Sequence, residues 1–547
     1  MKNSLFVLLS LLFLASCSEK SSDVFKKYDE TAKLKKQQNH ESSRMKFKLF
    51  QSKVLDMNEV FKPFNDELAA NFSEEEYQSL KLLIIEQDIP TLQTHVREGK
   101  LSYEKLTLFY LYRIRKFESD STKSLNAIIA LNSNVLKDAR KKDQERTDKN
   151  ATPQKIYGMP IFLKDNINTK GMPTTAGALA LIDNKNTEDA FIVKRLKEEG
   201  ALILGKVNLS EWAYYFCTGC PLGYSAIGGQ TLNPYGRGEF ETGGSSAASG
   251  ATVAANYAVA AVGTETAGSI TSPSSQNSVV GLKPTIGLLS RTGIVPISST
   301  LDTPGPMTKN VVDNWIFLNA LYGFDGADSK SFIYVDQNFG TFKDDLKGKR
   351  FGILKSYLQD SVFNANINII KENGAEIVEI TPPQVGLPGF LSLLNIDMKH
   401  DLPEYLKNYA DKNVKVGSVQ DVINFNLKDS ILRAPYGQQL FEGIVADTIN
   451  IEQLKEIKKT LMANARSYFG SLEAENLDAI LSINNRHSAF SAVAEYPNLT
   501  VPMGYKKSGE PISLTFIAKP REEGKLLILG NAFERLTKHR KLPENYK

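Results

Sequence analysis

Apolar runs of strand length alternate with helical patterns along most of this chain, and this alternation constrains its fold more than any other feature. Residues 106–114 and 191–199 show helical periodicity. The strand-like runs are residues 159–163, 201–204, 258–262, 350–354 and 477–483. Alternation of this kind predicts an α/β fold with a largely parallel or mixed β-sheet. No internal repeat and no long linker follows Leu80, so one large domain is expected rather than several.

Composition agrees with a soluble globular protein and excludes several function classes. Hydrophobic residues make up 41% of the 547 residues and charged residues 23%, which excludes collagen, low-complexity disorder and a polytopic membrane protein. Because 66 basic residues nearly balance 62 acidic ones, no nucleic-acid partner is expected. The three cysteines are too few for a disulfide scaffold, and no two of the five histidines lie four residues apart as in a helical zinc pair.

The beginning of the chain carries the pattern of an export signal. Residues 5–15 form an apolar run of eleven, too short to span a bilayer and typical of a secretory signal peptide. The run ends in LASC at residues 14–17, which resembles a bacterial lipobox, where cleavage before the cysteine accompanies thioether linkage to lipid. We therefore expect a signal peptide over residues 1–16 and acyl chains on Cys17 that anchor the protein to a membrane of the bacterial cell envelope, on its periplasmic or surface side. An ordinary signal peptide and a buried helix are the alternatives.

The segment from 17 to 74 differs in composition from the rest of the chain. Residues 18–43 are rich in Lys, Ser, Glu and Gln and have few large apolar side chains, so they are expected to form a polar tether with some helix. Residues 45–72 have scattered apolar positions and are expected to form one or two extra helices. We assign this segment no further function, and the globular domain is expected over residues 75–541.

Two glycine- and serine-rich segments interrupt apolar sequence in the middle of the chain. Residues 243–250 run into a stretch of small residues, and residues 263–270 follow a strand-like run. Such loops bring backbone N–H groups close to a ligand. Neither is a P-loop or a dinucleotide-binding loop, because the Gly-Lys-Ser/Thr and Gly-x-Gly-x-x-Gly patterns are absent. The first misses the hydrolase elbow Gly-x-Ser-x-Gly by one residue, so a Ser-His-Asp enzyme stays an alternative, although no histidine lies between His95 and His400.

A serine in these loops needs a base within hydrogen-bond reach before it can act as a nucleophile. Lys164 is the candidate base, because the apolar run that precedes it is expected to bury it. Burial lowers the pKa of a lysine, and a shift from about 10.4 to about 7 requires roughly 4.6 kcal/mol at about 1.36 kcal/mol per unit. An exposed lysine at a strand end is the alternative.

Five segments together resemble the amidase signature enzymes, which hydrolyse carboxamides through a Ser–cis-Ser–Lys triad. The matching segments are residues 164–177, 243–246, 263–270, 281–285 and 496–504. Ser245 and Ser269 are 24 residues apart, as the two catalytic serines are in that family. The resemblance covers about residues 80–540, and it implies the amidase signature fold, in which α-helices surround a large twisted mixed β-sheet.

The resemblance also implies roles for single residues. By it, Ser269 is the nucleophile, Ser245 on a cis peptide relays the proton, and Lys164 is the base. An oxyanion hole is implied by the backbone N–H groups of Thr266, Ala267, Gly268 and Ser269. The implied reaction is acyl transfer, in which the serine attacks the amide carbonyl, ammonia or an amine leaves, and water releases the acid. The resemblance implies neither a metal nor an organic cofactor.

Three residues depart from the commoner pattern of the family. Glu265 replaces an aspartate, Ala267 a glycine, and Thr271 an arginine whose guanidinium usually braces the loop. Alanine at a positive φ would cost roughly 1 kcal/mol or more, so the effect of Ala267 depends on its backbone conformation. Residues 206–212 and 228–234 look most like the peptide-amidase branch, whose members remove ammonia from C-terminal peptide amides. The expected substrate is therefore a peptide amide or a related small carboxamide.

Cys217 and Cys220 lie in a segment that borders the active-site mouth in the family. One C-x-x-C without a second pair is not a zinc site. Export makes a disulfide one alternative for this pair, and two small buried thiols are the other.

Two further functions remain as alternatives. The first is a non-catalytic binding lipoprotein built on an amidase scaffold, against which the presence of all three triad residues argues. The second is the amidase-like subunit of an enzyme that amidates tRNA. That role requires cytoplasmic partners and ATP, so the export signal argues against it.

Overall fold

A large mixed β-sheet forms the centre of the molecule, and α-helices pack against it. The computed structural model describes residues 24–146, 155–334 and 345–547. Within these ranges the strands are β1 (Ile128–Leu131), β2 (Pro160–Lys164), β3 (Leu202–Val207), β4 (Tyr224–Ser225), β5 (Gly229–Gln230), β6 (Ala260–Glu265), β7 (Val280–Lys283), β8 (Thr303–Thr308), β9 (Arg350–Leu354), β10 (Glu376–Ile380), β11 (Ala479–Ile483), β12 (Asn498–Tyr505) and β13 (Pro511–Ile517).

Eleven of these strands form the large sheet, in the order β1-β3-β2-β6-β8-β7-β12-β13-β11-β9-β10, and β4 and β5 form a separate ribbon. Strand β2 is parallel to β3 and β6, and β9 is parallel to β10 and β11. The strands between these two parallel groups pair in antiparallel fashion. The predicted α/β fold with a mixed sheet is confirmed.

The helices lie before, between and after the strands of the large sheet. They are α1 (Thr31–Gln37), α2 (Met57–Phe61), α3 (Asn65–Asn71), α4 (Glu74–Ile84), α5 (Ile89–Arg97), α6 (Tyr103–Glu118), α7 (Val135–Glu145), α8 (Phe191–Glu198), α9 (Ala247–Ala254), α10 (Thr271–Gln276), α11 (Val311–Leu321), α12 (Ser361–Glu372), α13 (Phe390–Asn408), α14 (Val419–Leu427), α15 (Ser430–Arg433), α16 (Gln439–Ala446), α17 (Ile451–Tyr468), α18 (Ser471–Ala474), α19 (Ser488–Ala494) and α20 (Glu523–Thr537). No helix within the described ranges is long and apolar enough to cross a membrane.

The two strands that lead to the candidate site are buried along their whole length. Every residue of β2 and β6 is buried, as expected for parallel strands covered on both faces. Leu163 of β2 lies opposite Val262 of β6. Because parallel strands end at the same edge of a sheet, the last residues of both strands come together there. Helix α9 consists of small residues, all of them buried, and it packs against both strands.

The segment before α2 lies against the body of the protein. Met45, Phe47 and Phe50 are buried in the main hydrophobic core. The backbone N–H of Gln230 donates to the carbonyl of Phe50 over 2.9 Å. Helix α1, which falls in the stretch that composition predicts to be a tether, contacts the domain through an exposed ion pair of 2.8 Å between Lys36 and Glu239. From residue 24 onward, the described part of this segment is therefore packed on the domain.

A buried arginine connects α6 to the last residues of the chain. Arg113 is fully buried. Its Nε donates to the carbonyl of Ala255 over 2.9 Å, and its two terminal nitrogens donate to the hydroxyl of Tyr77 and the carbonyl of Tyr546. The guanidinium thus has an acceptor on each nitrogen, which is what makes a buried cation tolerable.

Candidate active site

Lys164, the last residue of β2, lies at the edge of the sheet with its side chain fully buried. Its Nζ is 2.7 Å from the Oγ of Ser245, 2.8 Å from the Oγ1 of Thr264 and 3.0 Å from the carbonyl oxygen of Thr264. Thr264 belongs to β6, the parallel neighbour of β2, so the pairing of these strands brings the two residues together. Lys164 is therefore not an exposed lysine at a strand end.

Burial lowers the pKa of Lys164 to about 7, although the carboxylates of Asp302 and Glu265 act in the opposite direction. Desolvation disfavours the ammonium form, because a charge is poorly stabilised away from water. At neutral pH the Lys164 side chain is thus uncharged in a large share of the protein molecules.

Ser245 lies on the loop before α9, and its side chain is fully buried. The peptide bond between Gly244 and Ser245 is cis. The loop that carries Ser245 passes very close to Ser210. A Cβ on Gly244 would lie only 2.6 Å from the Oγ of Ser210. The backbone N–H of Ser210 donates to the carbonyl of Ser245 over 3.0 Å. This contact fixes the backbone of Ser245 beneath the lysine.

Ser269 lies on the loop between β6 and α10 and is partly exposed, whereas Lys164 and Ser245 are buried. The two serine loops are joined, because the backbone N–H of Ser246 donates to the carbonyl of Ser269 over 3.1 Å. The Oγ of Ser246 also donates to the carbonyl of Thr264 over 3.0 Å. Lys164 and Ser245 are therefore in contact in the interior, and Ser269, on the adjoining loop, is the one of the three residues that is partly exposed.

The backbone of residues 266–269 forms the turn that the resemblance assigns to the oxyanion hole. Gly268 has a φ of 105°, whereas Ala267 does not have a positive φ. Alanine at that position therefore carries no left-handed strain. Among the described residues, the N–H groups of this turn have no hydrogen-bond acceptor. Consecutive free donors of this kind suit a developing negative charge.

Glu265 and Thr271 close the same turn from below. One oxygen of the Glu265 carboxylate accepts from the N–H of Ile270 over 2.7 Å, the N–H of Thr271 over 2.9 Å and the hydroxyl of Thr271 over 3.2 Å. Two of the departures from the common pattern thus contact each other, and the threonine hydroxyl braces the loop where the family has a guanidinium.

Several residues that support the site were not identified from the sequence. Lys206 and Asp165 form a fully buried ion pair of 3.2 Å beside Lys164. The carboxylate of Asp302 accepts from the hydroxyl of Thr266 over 2.5 Å and so holds the start of the turn. Lys206, Asp165 and Thr266 lie inside motif segments, whereas Asp302 lies in none, and the pairing partners are far apart along the chain.

The Ser-His-Asp alternative does not fit this geometry. All five histidines lie in the described ranges, and none of their hydrogen bonds there reaches Ser245 or Ser269. The most buried one, His487, is bonded to the Oγ of Ser482 and the hydroxyl of Tyr468. Within the described part of the chain, no three His, Cys, Asp or Glu side chains are grouped so that they could hold a metal ion.

The C-x-x-C pair forms a disulfide between Cys217 and Cys220. The pair follows three consecutive residues with positive φ, Trp212, Ala213 and Tyr214, and the hydroxyl of Tyr214 donates to the carbonyl of Cys220 over 2.9 Å. The predicted lipid attachment site, Cys17, lies outside the described residues.

Comparison with known proteins identifies, over most of the chain, the same family that the sequence motifs resemble. The amidase family model matches residues 105–483. A probable amidase from Arabidopsis thaliana is 36% identical, over 84% of this chain and 92% of that protein. The structure of an amidase family protein from Bacillus anthracis is 39% identical with a TM-score of 0.85 and covers 91% of this chain and 100% of its own. Native peptide amidase from Stenotrophomonas maltophilia is 35% identical with a TM-score of 0.77 and covers 84% and 99%. The chain therefore belongs to the amidase signature family and is an enzyme that hydrolyses amide C–N bonds.

Proposed function

We propose that the enzyme removes ammonia from small peptide amides by acyl transfer through Ser269, Ser245 and Lys164. The observation that carries this proposal is the set of contacts around the lysine amine. A neutral amine has two N–H donors and one lone pair. The carbonyl of Thr264 only accepts, so it takes one of these N–H donors over 3.0 Å, and the lone pair can accept from the hydroxyl of Ser245 over 2.7 Å.

The reaction follows from this arrangement. Lys164 takes the proton of Ser245 while Ser245 takes the proton of Ser269, whose Oγ bonds to the amide carbon. The oxyanion receives hydrogen bonds from the N–H groups of residues 266–269. The relay then passes a proton to the amide nitrogen of the tetrahedral intermediate, the C–N bond breaks and ammonia leaves. Water, activated by the same relay, cleaves the acyl ester, releases the acid and restores Ser269.

The peptide-amide substrate class is supported by the similarity to peptide amidase and by the motif segments 206–212 and 228–234. It is tested by measuring ammonia release from a peptide amide, a fatty amide and an aryl amide of matched concentration. We expect the peptide amide to have the highest kcat/KM. A higher kcat/KM for either of the other two would contradict the assignment. A fluorophosphonate probe that fails to label the folded protein would instead favour the non-catalytic alternative.

Gly268→Ala tests the proposed oxyanion turn. Its φ of 105° disfavours any residue with a Cβ, and that Cβ would lie 2.9 Å from the Oγ of Ser488. We expect kcat to fall about 100-fold, because one misplaced donor of an oxyanion hole costs 100- to 1,000-fold. Gly509→Ala is the control, since Gly509 has a φ of 90° with no atom near the added methyl. An equal loss of kcat in both variants would contradict a role for the turn.

We also propose that the enzyme is exported and anchored by lipid on Cys17, on the strength of the LASC pattern at residues 14–17. Cys17→Ala is expected to move the enzyme from the membrane fraction to the soluble fraction of a Gram-negative host. Ser21→Ala, four residues on, should leave it in the membrane fraction. Membrane association that persists in the cysteine variant would remove the anchor from this account.

A further inference from the structure

A loop that joins Ser210 to Gly223, here called the supporting loop, begins and ends beside the buried serine of the relay. At its start, the backbone N–H of Ser210 donates to the carbonyl of Ser245 over 3.0 Å. At its end, the N–H of Gly223 donates to the Oγ of Ser210 over 2.8 Å. Both ends adjoin Gly244, because a Cβ on that residue would lie 2.6 Å from the Oγ of Ser210 and 2.9 Å from the Cδ2 of Leu222. The two ends of the loop therefore enclose the peptide that leads into Ser245.

Three consecutive residues near the start of the supporting loop have left-handed backbone angles. The φ values of Trp212, Ala213 and Tyr214 are 50°, 54° and 75°. Residues with a Cβ are disfavoured in this region, and they persist there only where the surroundings enforce it. Here the N–H of Trp212 donates to the carbonyl of Ala176 over 2.9 Å, and its ring packs against Phe441 at 5.2 Å between centroids. Backbone strain is therefore held two residues after the contact that supports the relay serine.

The disulfide between Cys217 and Cys220 ties the strained residues to the second half of the supporting loop. The hydroxyl of Tyr214 donates to the carbonyl of Cys220 over 2.9 Å. Two residues after the bridge the chain reaches Leu222, which adjoins Gly244. A covalent bridge restricts the conformations that the chain on either side of it can adopt. The disulfide therefore lies between the strained residues and one of the two ends that enclose the relay peptide.

We propose that Cys217 and Cys220 are positioning residues, whose disulfide holds the supporting loop so that Ser245 stays within reach of Lys164. The inference rests on the proposed relay through Ser245 and adds a requirement for oxidation to it. The lysine amine and the serine hydroxyl are 2.7 Å apart, and a displacement of about 1 Å breaks a hydrogen bond of this length. Misplacement of that size in a catalytic group lowers the rate by up to about 100-fold.

Reduction of the bridge releases the supporting loop. A dithiol such as dithiothreitol supplies two electrons and two protons and becomes a cyclic disulfide, while Cys217 and Cys220 become thiols. The left-handed residues then lose one of their restraints, and the turn relaxes toward ordinary backbone angles. Oxidised glutathione reverses the change, because it takes up the two electrons and two protons as two glutathione thiols and restores the bridge. The enzyme is thus expected to be fully active only in its oxidised form.

The first test removes the bridge by substitution. The double variant Cys217→Ser with Cys220→Ser is expected to lower kcat for a peptide amide at least about tenfold and to leave KM within about twofold, because the loop acts on Ser245 and not on substrate binding. Thr218→Ala is the control, since Thr218 is exposed and lies between the two cysteines. This control variant should keep the kcat of the unmodified enzyme.

Two outcomes of this test would overturn the proposal. One is a kcat in the double variant within about twofold of that of the unmodified enzyme. The other is a raised KM with an unchanged kcat. In that case the loop would serve substrate binding instead, through Ala213, which lines a cavity of about 300 Å³ together with Thr266 of the catalytic turn.

The second test uses the unmodified full-length protein, so it does not depend on the folding of a variant. Dithiothreitol is added, and kcat is measured once mass spectrometry of iodoacetamide-treated samples finds both Cys217 and Cys220 alkylated. We expect kcat to fall at least about tenfold and to recover after treatment with oxidised glutathione. The double serine variant should not respond, and because it keeps Cys17 it also controls for effects of the dithiol there. An equal response of both proteins, or no response of the unmodified protein, would contradict the proposal.

The third test does not depend on catalysis. Deuterium exchange is compared between the oxidised and the reduced protein at the amides of Ser210 and Gly223, which donate the two hydrogen bonds that close the supporting loop. We expect both to exchange at least about tenfold faster after reduction, with no change in strand β12. Equal acceleration throughout the protein would show a general loss of stability and would overturn the proposal. If exchange changes as expected but no peptide amide is hydrolysed, the proposed function fails and the coupling stands. If peptide amides are hydrolysed equally fast with the bridge reduced, this inference fails alone.

Discussion

Ser269→Ala is expected to lower kcat for a peptide amide by about four to six orders of magnitude, because loss of the nucleophile in a serine hydrolase removes the covalent route. The serine is partly exposed and no side-chain hydrogen bond of its hydroxyl is among the described contacts, so its removal should leave the free energy of unfolding almost unchanged. Ammonia release measures the first effect and the urea midpoint the second.

Ser272→Ala is the matched control for this experiment. Ser272 is also partly exposed and lies three residues further along, at the start of α10. It should keep most of the activity and should still react with a fluorophosphonate, whereas Ser269→Ala should not. Labelling that persists in Ser269→Ala, or activity that survives in that variant, would exclude Ser269 as the nucleophile.

For the unmodified enzyme, kcat/KM is expected to rise with pH and to reach half its maximum near pH 7. The reason is that only the uncharged amine of Lys164 accepts a proton, and its pKa is about 7. Below that value, activity should fall about tenfold per pH unit. Lys164→Met should lose at least about 1,000-fold in kcat/KM and should show no such step.

Lys283 provides the control for this pH profile. It is also fully buried, burial lowers its pKa to about 8, and it does not contact Ser245. Lys283→Met should therefore keep a midpoint near pH 7. A midpoint that disappears in Lys283→Met but persists in Lys164→Met would show that the pH dependence comes from Lys283 and not from Lys164.

The same titration affects stability, and its sign follows from the two pKa values. The pKa of Lys164 is about 7 in the folded protein and 10.5 when unperturbed, so between these values the unfolded chain binds a proton that the folded chain does not. The free energy of unfolding therefore rises with pH across this window, and the full cost, about 5 kcal/mol at about 1.36 kcal/mol per unit, applies below pH 7. Lys164→Met escapes that cost. In urea denaturation, the difference in the free energy of unfolding between Lys164→Met and the unmodified protein should therefore shrink from pH 7 to pH 10.

The parallel strands could be predicted from the sequence because they are continuous apolar runs. Residues 159–163 correspond to β2 with a displacement of one residue, and residues 258–262 to β6, which begins two residues and ends three residues later. The antiparallel strands gave a weaker signal. Strand β8 contains Pro304 and Pro306, which local rules assign to turns, and it forms because its neighbours β6 and β7 supply tertiary contacts.

The residues proposed to carry out the reaction were easier to predict from the sequence than the contacts that hold them in place. Lys164, Ser245 and Ser269 stand in local motifs, so a resemblance is enough to select them. The bond from Ser210 to the carbonyl of Ser245 depends instead on how distant loops meet. The packing of Phe50 against the domain could not be predicted for the same reason, because scattered apolar positions indicate helices but not the surface against which they pack.

The bond from Arg113 to the carbonyl of Tyr546 makes the segment around Tyr546 part of the support of α6. Without that carbonyl, one nitrogen of the fully buried guanidinium would lose its acceptor. An incompletely satisfied buried charge costs several kcal/mol, a large part of the total stability of a domain. Removal of the segment around Tyr546 is therefore expected to destabilise the packing of α6, although the two bonded residues are 433 positions apart along the chain.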